Sequence, residues 1–182
     1  MTAYTQKHFI NNNESTVKSG AFFLYKNLHF INTITKEVNK MNDTEKLLRE
    51  CNSGIKMGVD SINHVMPYVK SKELKRVLNA CKDKHAVLGD ETHQLLINSN
   101  MSTKDPHPMA KMMADMSTRM KITMRRTDNE IASVMTDGCN MGIKSLYKYL
   151  NQYGGADKQS KEIANRLISV EQELRTDMRG FL

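Results

Sequence analysis

The chain has 182 residues, a formal net charge of +7, 14 methionines, 3 prolines and no tryptophan. This composition favours helices over a sheet, and no apolar run approaches the roughly 18 residues that a membrane helix needs. Three cysteines without regular spacing indicate reduced thiols in a cytoplasm rather than a disulfide framework. From residue 41 onward, 22 basic residues face 18 acidic ones, and this modest excess argues against nucleic-acid binding. We therefore expect a cytoplasmic, all-α protein without a transmembrane segment or a nucleic-acid partner.

The first forty residues differ in character from the rest of the chain. Three consecutive asparagines at 11–13 precede a short aromatic patch at 22–25, and no helical apolar stripe persists. Residues 1–40 are therefore predicted to be a weakly ordered N-terminal arm. Because a periodic pattern begins at Met41, an alternative is that Met41 is the true start and that the arm is upstream sequence.

An internal repeat organises residues 41–182. The segment CNSGIK at 51–56 returns as CNMGIK at 139–144, and SKEL at 71–74 returns as SKEI at 160–163. A two-helix unit that cannot bury its apolar face alone must pack against its duplicate. The repeat therefore predicts two helical hairpins related by a pseudo-twofold axis.

Local signals set the ends of the predicted helices. The first hairpin has helices over about 44–66 and 71–98, and Gly54 and Gly58 inside the first helix indicate close approach by a neighbour. In the second hairpin, Thr127 and Glu130 have the spacing of a capping box for a helix over about 128–153, and Asp157 is placed to cap the last helix. Between the hairpins, a methionine-rich amphipathic segment predicts a crossover helix over about 106–126.

Two antiparallel helix pairs joined by a long connection resemble the ferritin-like superfamily. The resemblance covers residues 43–182 and is nearest to uncharacterised bacterial members of that superfamily. It implies an all-α, ferritin-like four-helix bundle built from two duplicated hairpins and a helical crossover. It also raises the question of a metal centre, because many members bind two metal ions and do oxygen chemistry.

The di-metal members need a glutamate from two helices and Glu-x-x-His from the other two. Here Lys82 stands where the glutamate before His85 belongs, and Leu174 stands where the histidine after Glu171 belongs. Each hairpin thus keeps one half of the motif. We expect no metal and no cofactor, and the remaining candidates for a nonstandard site are His85, Glu171 and Cys81.

Helical geometry predicts the positions of the other polar residues in the repeat. Glu50 and Asp137 each fall roughly 130° from the middle of an inward stripe, so neither is expected to reach the interior. Asn52 and Asn140 are predicted to pair across the pseudo-twofold axis and to fix the helix register. The three cysteines lie on inward stripes and are expected to be buried thiols.

The methionine-rich segment carries the candidate interaction surface. Methionine repacks against varied partners, and basic amphipathic helices bind acidic proteins or anionic lipid; the alternative is that the methionines pack on the flank of the bundle. The surface comprises Met112, Met113, Met116, Met120, Lys121, Arg125 and Arg126.

Taken together, these features predict a non-catalytic structural or protein-interaction bundle, with a homodimer as the expected assembly. The first alternative is a metal-binding protein or oxidase with a nonstandard site around His85. The second alternative is a binder of acidic partners or membrane surfaces that acts through the methionine-rich helix.

Overall fold

The computed structural model describes residues 3–103 and 127–182, with side chains described for 31–40, 42–103 and 127–182. Within these ranges the chain forms long helices and no strand, which confirms the predicted all-α class and four-helix bundle. The predicted crossover helix lies outside the described residues. The helices are α1 (Ala3–Val65), α2 (Lys72–Asn98), α3 (Asp128–Gln152) and α4 (Lys158–Met178), with single 3₁₀ turns at Met66–Tyr68 and Arg179–Phe181.

Helix α1 begins much earlier than the sequence predicted. It starts at Ala3 rather than near residue 44, although its end at Val65 agrees with the prediction within one residue. The side chains described at 31–40 are all exposed, and a helix that faces solvent needs no apolar stripe to reveal it. The chain divides into two compact units, Met1–Lys40 and Met41–Leu182, and the second unit contains the bundle.

The predicted caps of α3 and α4 are confirmed. Thr127 Oγ1 accepts the backbone N–H of Glu130 at 3.3 Å, and Asp157 Oδ1 accepts the backbone N–H of Ser160 at 2.7 Å. Each cap satisfies one of the four N–H groups that a helix start leaves without an intrahelical partner, which typically contributes about 1 kcal/mol. These local signals therefore determine where both helices of the second hairpin begin.

Each hairpin is tied to the turn of the other. At the start of α3, the Asp128 carboxylate accepts the backbone N–H groups of Lys70 at 2.8 Å and Ser71 at 2.9 Å, in the turn between α1 and α2. Reciprocally, Asp43 on α1 accepts the N–H of Gly155 at 3.0 Å, in the turn between α3 and α4. These bonds satisfy backbone donors that the turns leave open, and they fix the two hairpins against each other.

The apolar core consists of two clusters that succeed each other along the bundle, and all four helices contribute to both. Along α1 the clusters change over between Ile55 and Ile62, and along α2 between Leu88 and Cys81. The layer between the two clusters holds His85, which is 1% exposed. A polar layer thus interrupts the core near the middle of the bundle.

Candidate functional site

His85 is held through both of its ring nitrogens. Its Nδ1 lies 3.0 Å from the carbonyl oxygen of Cys81, one turn earlier on α2, and 3.5 Å from the Cys81 sulfur. Its Nε2 lies 3.1 Å from Oε1 of Glu171 on α4. A carbonyl and a carboxylate can only accept, so each ring nitrogen donates and the imidazole is held in its protonated form.

The charge state of His85 follows from competing effects. Burial lowers its pKa, because a buried imidazolium loses hydration, but the hydrogen bonds and charges of Cys81 and Glu171 oppose this and raise the pKa well above its ordinary value. Glu171 is itself largely buried, with a side chain 12% exposed. The pair is therefore a charge-assisted contact between α2 and α4 in the interior.

A glycine on α1 makes room for the ring of His85. A Cβ at Gly58 of α1 would lie 2.6 Å from His85 Nε2, closer than carbon and nitrogen can approach. On α3, a Cβ at Gly142 would lie 3.6 Å from Cδ of Glu171, which is ordinary contact. The close approach expected at Gly58 is thus real, and its partner is the ring of His85.

The structure brings His85, Glu171 and Cys81 together, but not as ligands of one ion. Cys81 and Glu171 contact opposite nitrogens of the imidazole, whereas an imidazole binds a metal through a single nitrogen. Lys82, in the place of the motif glutamate, donates to Asn63 at 3.3 Å. Among the described residues, no group of three or more histidine, cysteine or acidic side chains could hold a metal ion.

The position of Glu50 differs from the sequence prediction. Expected outside the interior, it is only 7% exposed, and Tyr149 of α3 is its hydrogen-bond partner. Burial raises the pKa of Glu50, and the bond to Tyr149 opposes that shift in part. The side-chain oxygen Oε2 is buried without a partner among the described residues. The prediction for Glu50 was wrong because it used the helical wheel of α1 alone. It did not take into account helix α3, which covers this side chain.

The prediction that Asn52 and Asn140 pair across the core is wrong. Asn52 is buried, at 4% exposure, but Asn140 is exposed and accepts a hydrogen bond from Arg175 of α4 at 3.2 Å. Asn140 therefore finds its partner at the surface rather than across the core. The three cysteines are buried free thiols, as predicted, and Asp137 is exposed, also as predicted.

A cavity of about 60 Å³ lies beside the polar layer. Its walls include the small residues of α1 and α3, namely Gly54, Gly58, Ser61, Gly138, Gly142 and Ser145. Glu50 and His85 also line it. Since His85 packs at Gly58, eight residues from Glu50, the helix rise separates these two polar groups by about 12 Å along the bundle. They belong to opposite ends of the cavity, and sequence reasoning missed Glu50 and the cavity.

The candidate interaction surface of the methionine-rich segment lies outside the described residues. Among the helices that are described, none is both long and apolar enough to cross a bilayer.

Comparison with known proteins supports the fold. No family model matches the chain, and no curated protein matches it. The crystal structure of the E. coli stress protein YciF matches with a TM-score of 0.58 at 13% sequence identity, covering 78% of this chain and 92% of that chain. At this identity the likeness shows a shared helical fold and carries no statement about activity.

Proposed function

We propose that this protein is a non-catalytic four-helix bundle of ferritin-like architecture, which serves as a structural or protein-interaction module in the cytoplasm. One observation carries the proposal: both ring nitrogens of His85 are engaged inside the bundle, one with Glu171 and the other with the Cys81 carbonyl. An imidazole held in this way has no lone pair to offer a metal ion. The ion pair of His85 and Glu171 stabilises the polar layer, which is where the ligands of a di-metal centre would have to lie.

Two replacements within the motif support the same conclusion. Leu174, where the second histidine belongs, is 2% exposed and part of the apolar core. Lys82 brings a positive charge to the position of an anionic ligand, which would repel a cation. A metal-binding protein would need Nε2 of His85 to leave Glu171 and would need further ligands from elsewhere.

Metal analysis of the purified protein tests the proposal. Protein from cells grown with iron, manganese and zinc should carry well under one ion per chain by elemental mass spectrometry. Ferrous iron added in air should oxidise no faster than in buffer alone. The variants His85→Ala and His93→Ala, the latter at an exposed position of the same helix, should match the wild type in both assays. A stoichiometric metal that is lost in His85→Ala and kept in His93→Ala would overturn the proposal in favour of a nonstandard metal site.

A further inference from the structure

A groove runs along the bundle between α1 and α3. The residues that face each other across it are small or are methionines, and all of them are half-buried. They are Gly54, Met57, Gly58 and Ser61 on α1, and Gly138, Met141, Gly142 and Ser145 on α3. Glycine and serine are too small to fill the space between two helices to the density of a protein interior. This face of the bundle therefore presents a mostly apolar depression.

The other three pairs of neighbouring helices are bridged by polar side chains. The bridges are Lys82 to Asn63 between α2 and α1, Arg166 to Glu91 and Lys84 to Glu173 between α4 and α2, and Arg175 to Asn140 between α4 and α3. Charged side chains at these edges disfavour the docking of an apolar helix face, which would strip water from them. The groove between α1 and α3 is thus the edge of the described bundle that best suits an apolar partner.

The segment that joins α2 to α3 begins and ends at the helices of this groove. Just after α2, the backbone N–H of Ser102 lies 3.4 Å from Oε1 of Glu45 on α1. At the other end of the bundle, α3 starts beside the turn that follows α1, where Asp128 accepts the N–H of Ser71. Residues 104–126, which lie outside the described residues, therefore have to cover the length of the bundle, and the contact with Glu45 starts them on the side of α1.

The length of this segment matches that distance if it is a helix. Along α1, the stretch from Glu45 to Val65 rises about 30 Å. Residues 104–126 would span about 35 Å as a helix, but more than about 70 Å as an extended strand. In a helix, six methionines fall on one face about 120° wide, which is the width of a stripe that packs on a neighbour. They are Met109, Met112, Met113, Met116, Met120 and Met124.

We propose that the groove between α1 and α3 is the docking site of the chain's own residues 104–126, which bind there as a helix with the methionine face on the glycines. Methionine is flexible enough to fill an irregular gap. The segment runs parallel to α1, so Met120 lies opposite Ser61, and Met109 lies nearer the end at Glu45. The methionines are then closed to an outside partner. The proposal does not depend on whether the protein binds a metal.

Disulfide cross-linking in the full-length chain tests both the place and the register. A disulfide forms only when the two Cα atoms lie within about 7 Å. Ser61→Cys combined with Met120→Cys should therefore close a disulfide within one chain on mild oxidation. It should form at least about tenfold faster than the disulfide of Ser61→Cys with Met109→Cys, because Met109 is about 16 Å from Met120 along a helix. The single variants give the background from the three native cysteines, which are buried.

Ser169→Cys is the matched control for Ser61→Cys, because Ser169 is an exposed serine on α4. It should not cross-link with Met120→Cys. If Met120→Cys reacted equally with both positions, the segment would not be docked and the proposal would be wrong. A disulfide that joins two chains, instead of closing within one, would assign the groove to a second copy of the protein and would also overturn the proposal.

Thermal unfolding provides a second measurement without added cysteines. Met120→Ser should lower the melting temperature by at least about 4 °C, because it truncates a large side chain that is buried in the groove. Ile122→Ser is the matched control, since Ile122 lies about 140° from the middle of the methionine face and its change should have an effect within about 2 °C. Unchanged melting of Met120→Ser would contradict the docking. If that variant also lost binding to vesicles of anionic phospholipid that the wild type binds, the methionines would instead form an exposed membrane-binding surface.

Discussion

Gly58 is the residue whose small size the polar layer depends on most directly. Replacing it with alanine would place a Cβ 2.6 Å from His85 Nε2, so the ring must move away from Glu171. Alanine favours a helix interior by about 1 kcal/mol over glycine, but overpacking typically costs about 1–3 kcal/mol. We expect Gly58→Ala to lower the free energy of unfolding by up to roughly 2 kcal/mol, the difference between these effects, as measured by urea denaturation.

Gly54→Ala is the control for this change, since it has the same chemistry one turn earlier on the same helix. Its Cβ would meet Leu167 at an ordinary 3.8 Å, so the helix propensity of alanine should prevail and stability should rise by up to about 1 kcal/mol. Equal effects at both positions would contradict the view that the His85 ring is what requires glycine at 58.

The ion pair of His85 and Glu171 predicts a pH dependence with a definite sign. The pKa of His85 is raised in the folded protein, so its contribution to stability is complete below the ordinary histidine pKa of about 6.5 and is lost as the pH rises through the raised value. Glu171→Gln removes the charge of the partner. The stability difference between wild type and variant should thus be greatest near pH 5.5, at roughly 1–3 kcal/mol, and should shrink toward pH 9.

Urea denaturation of both proteins at several pH values measures this difference. The raised pKa of Glu50 also makes stability fall as the pH rises, but Glu50 is present in both proteins and its effect cancels in the difference. A stability difference that grows with pH would show that the histidine is neutral in the native state.

At the level of the helices, the contact between α3 and the first turn is the clearest target. Asp128 accepts two backbone N–H groups, those of Lys70 and Ser71. Asp128→Ala leaves both donors to water or unpaired, and it should cost about 1–3 kcal/mol. Native-state hydrogen exchange should also show faster exchange at those two amides. Asp137→Ala, at an exposed position on the same helix, should change neither quantity; if the two variants behaved alike, the contact would not be holding the hairpins together.

The sequence predicted the helices of the second hairpin well because their signals are local. A capping residue and its partner three positions later lie in one turn, so the caps formed by Thr127 and Asp157 required no knowledge of the rest of the fold. Helix α1 was predicted poorly at its start for the opposite reason. Its first part, where it is described at 31–40, faces solvent, and apolar periodicity reports only helices that are packed on something.

The candidate site was harder to predict, because it depends on contacts between helices. The repeat placed half of a motif on α2 and half on α4, but only the packing of those helices joins His85 to Glu171. The burial of Glu50 and Asn140 was predicted wrongly because a helical wheel assumes a single inward direction. A neighbouring helix can cover a wider or narrower part of the helix surface than that direction implies. Tyr149 of α3 is the hydrogen-bond partner of Glu50, while Asn140 lies at the surface beside Arg175.

For the molecule as a whole, the question is whether residues 1–40 contribute to the stability of the bundle. Both apolar clusters are built from residues between Leu47 and Met178, with Phe181 packed against the second. The side chains described at 31–40 are exposed, including Ile34 at 47% and Val38 at 58%. Little buried apolar area is therefore lost if this stretch is removed.

We expect a chain of residues 41–182 to fold and to melt within a few degrees of the full-length protein, because 1 kcal/mol corresponds to about 2–4 °C in a protein of this size. Thermal unfolding followed by circular dichroism measures the shift. A shorter chain that begins at Arg49 is the control, because it also loses Leu47 and Leu48 from the core and the bond from Gly155 to Asp43. Burial of two leucines is worth several kcal/mol, so this control should melt at least about 10 °C lower. If residues 41–182 alone melted that low, or failed to fold, the first forty residues would have to be counted as part of the domain.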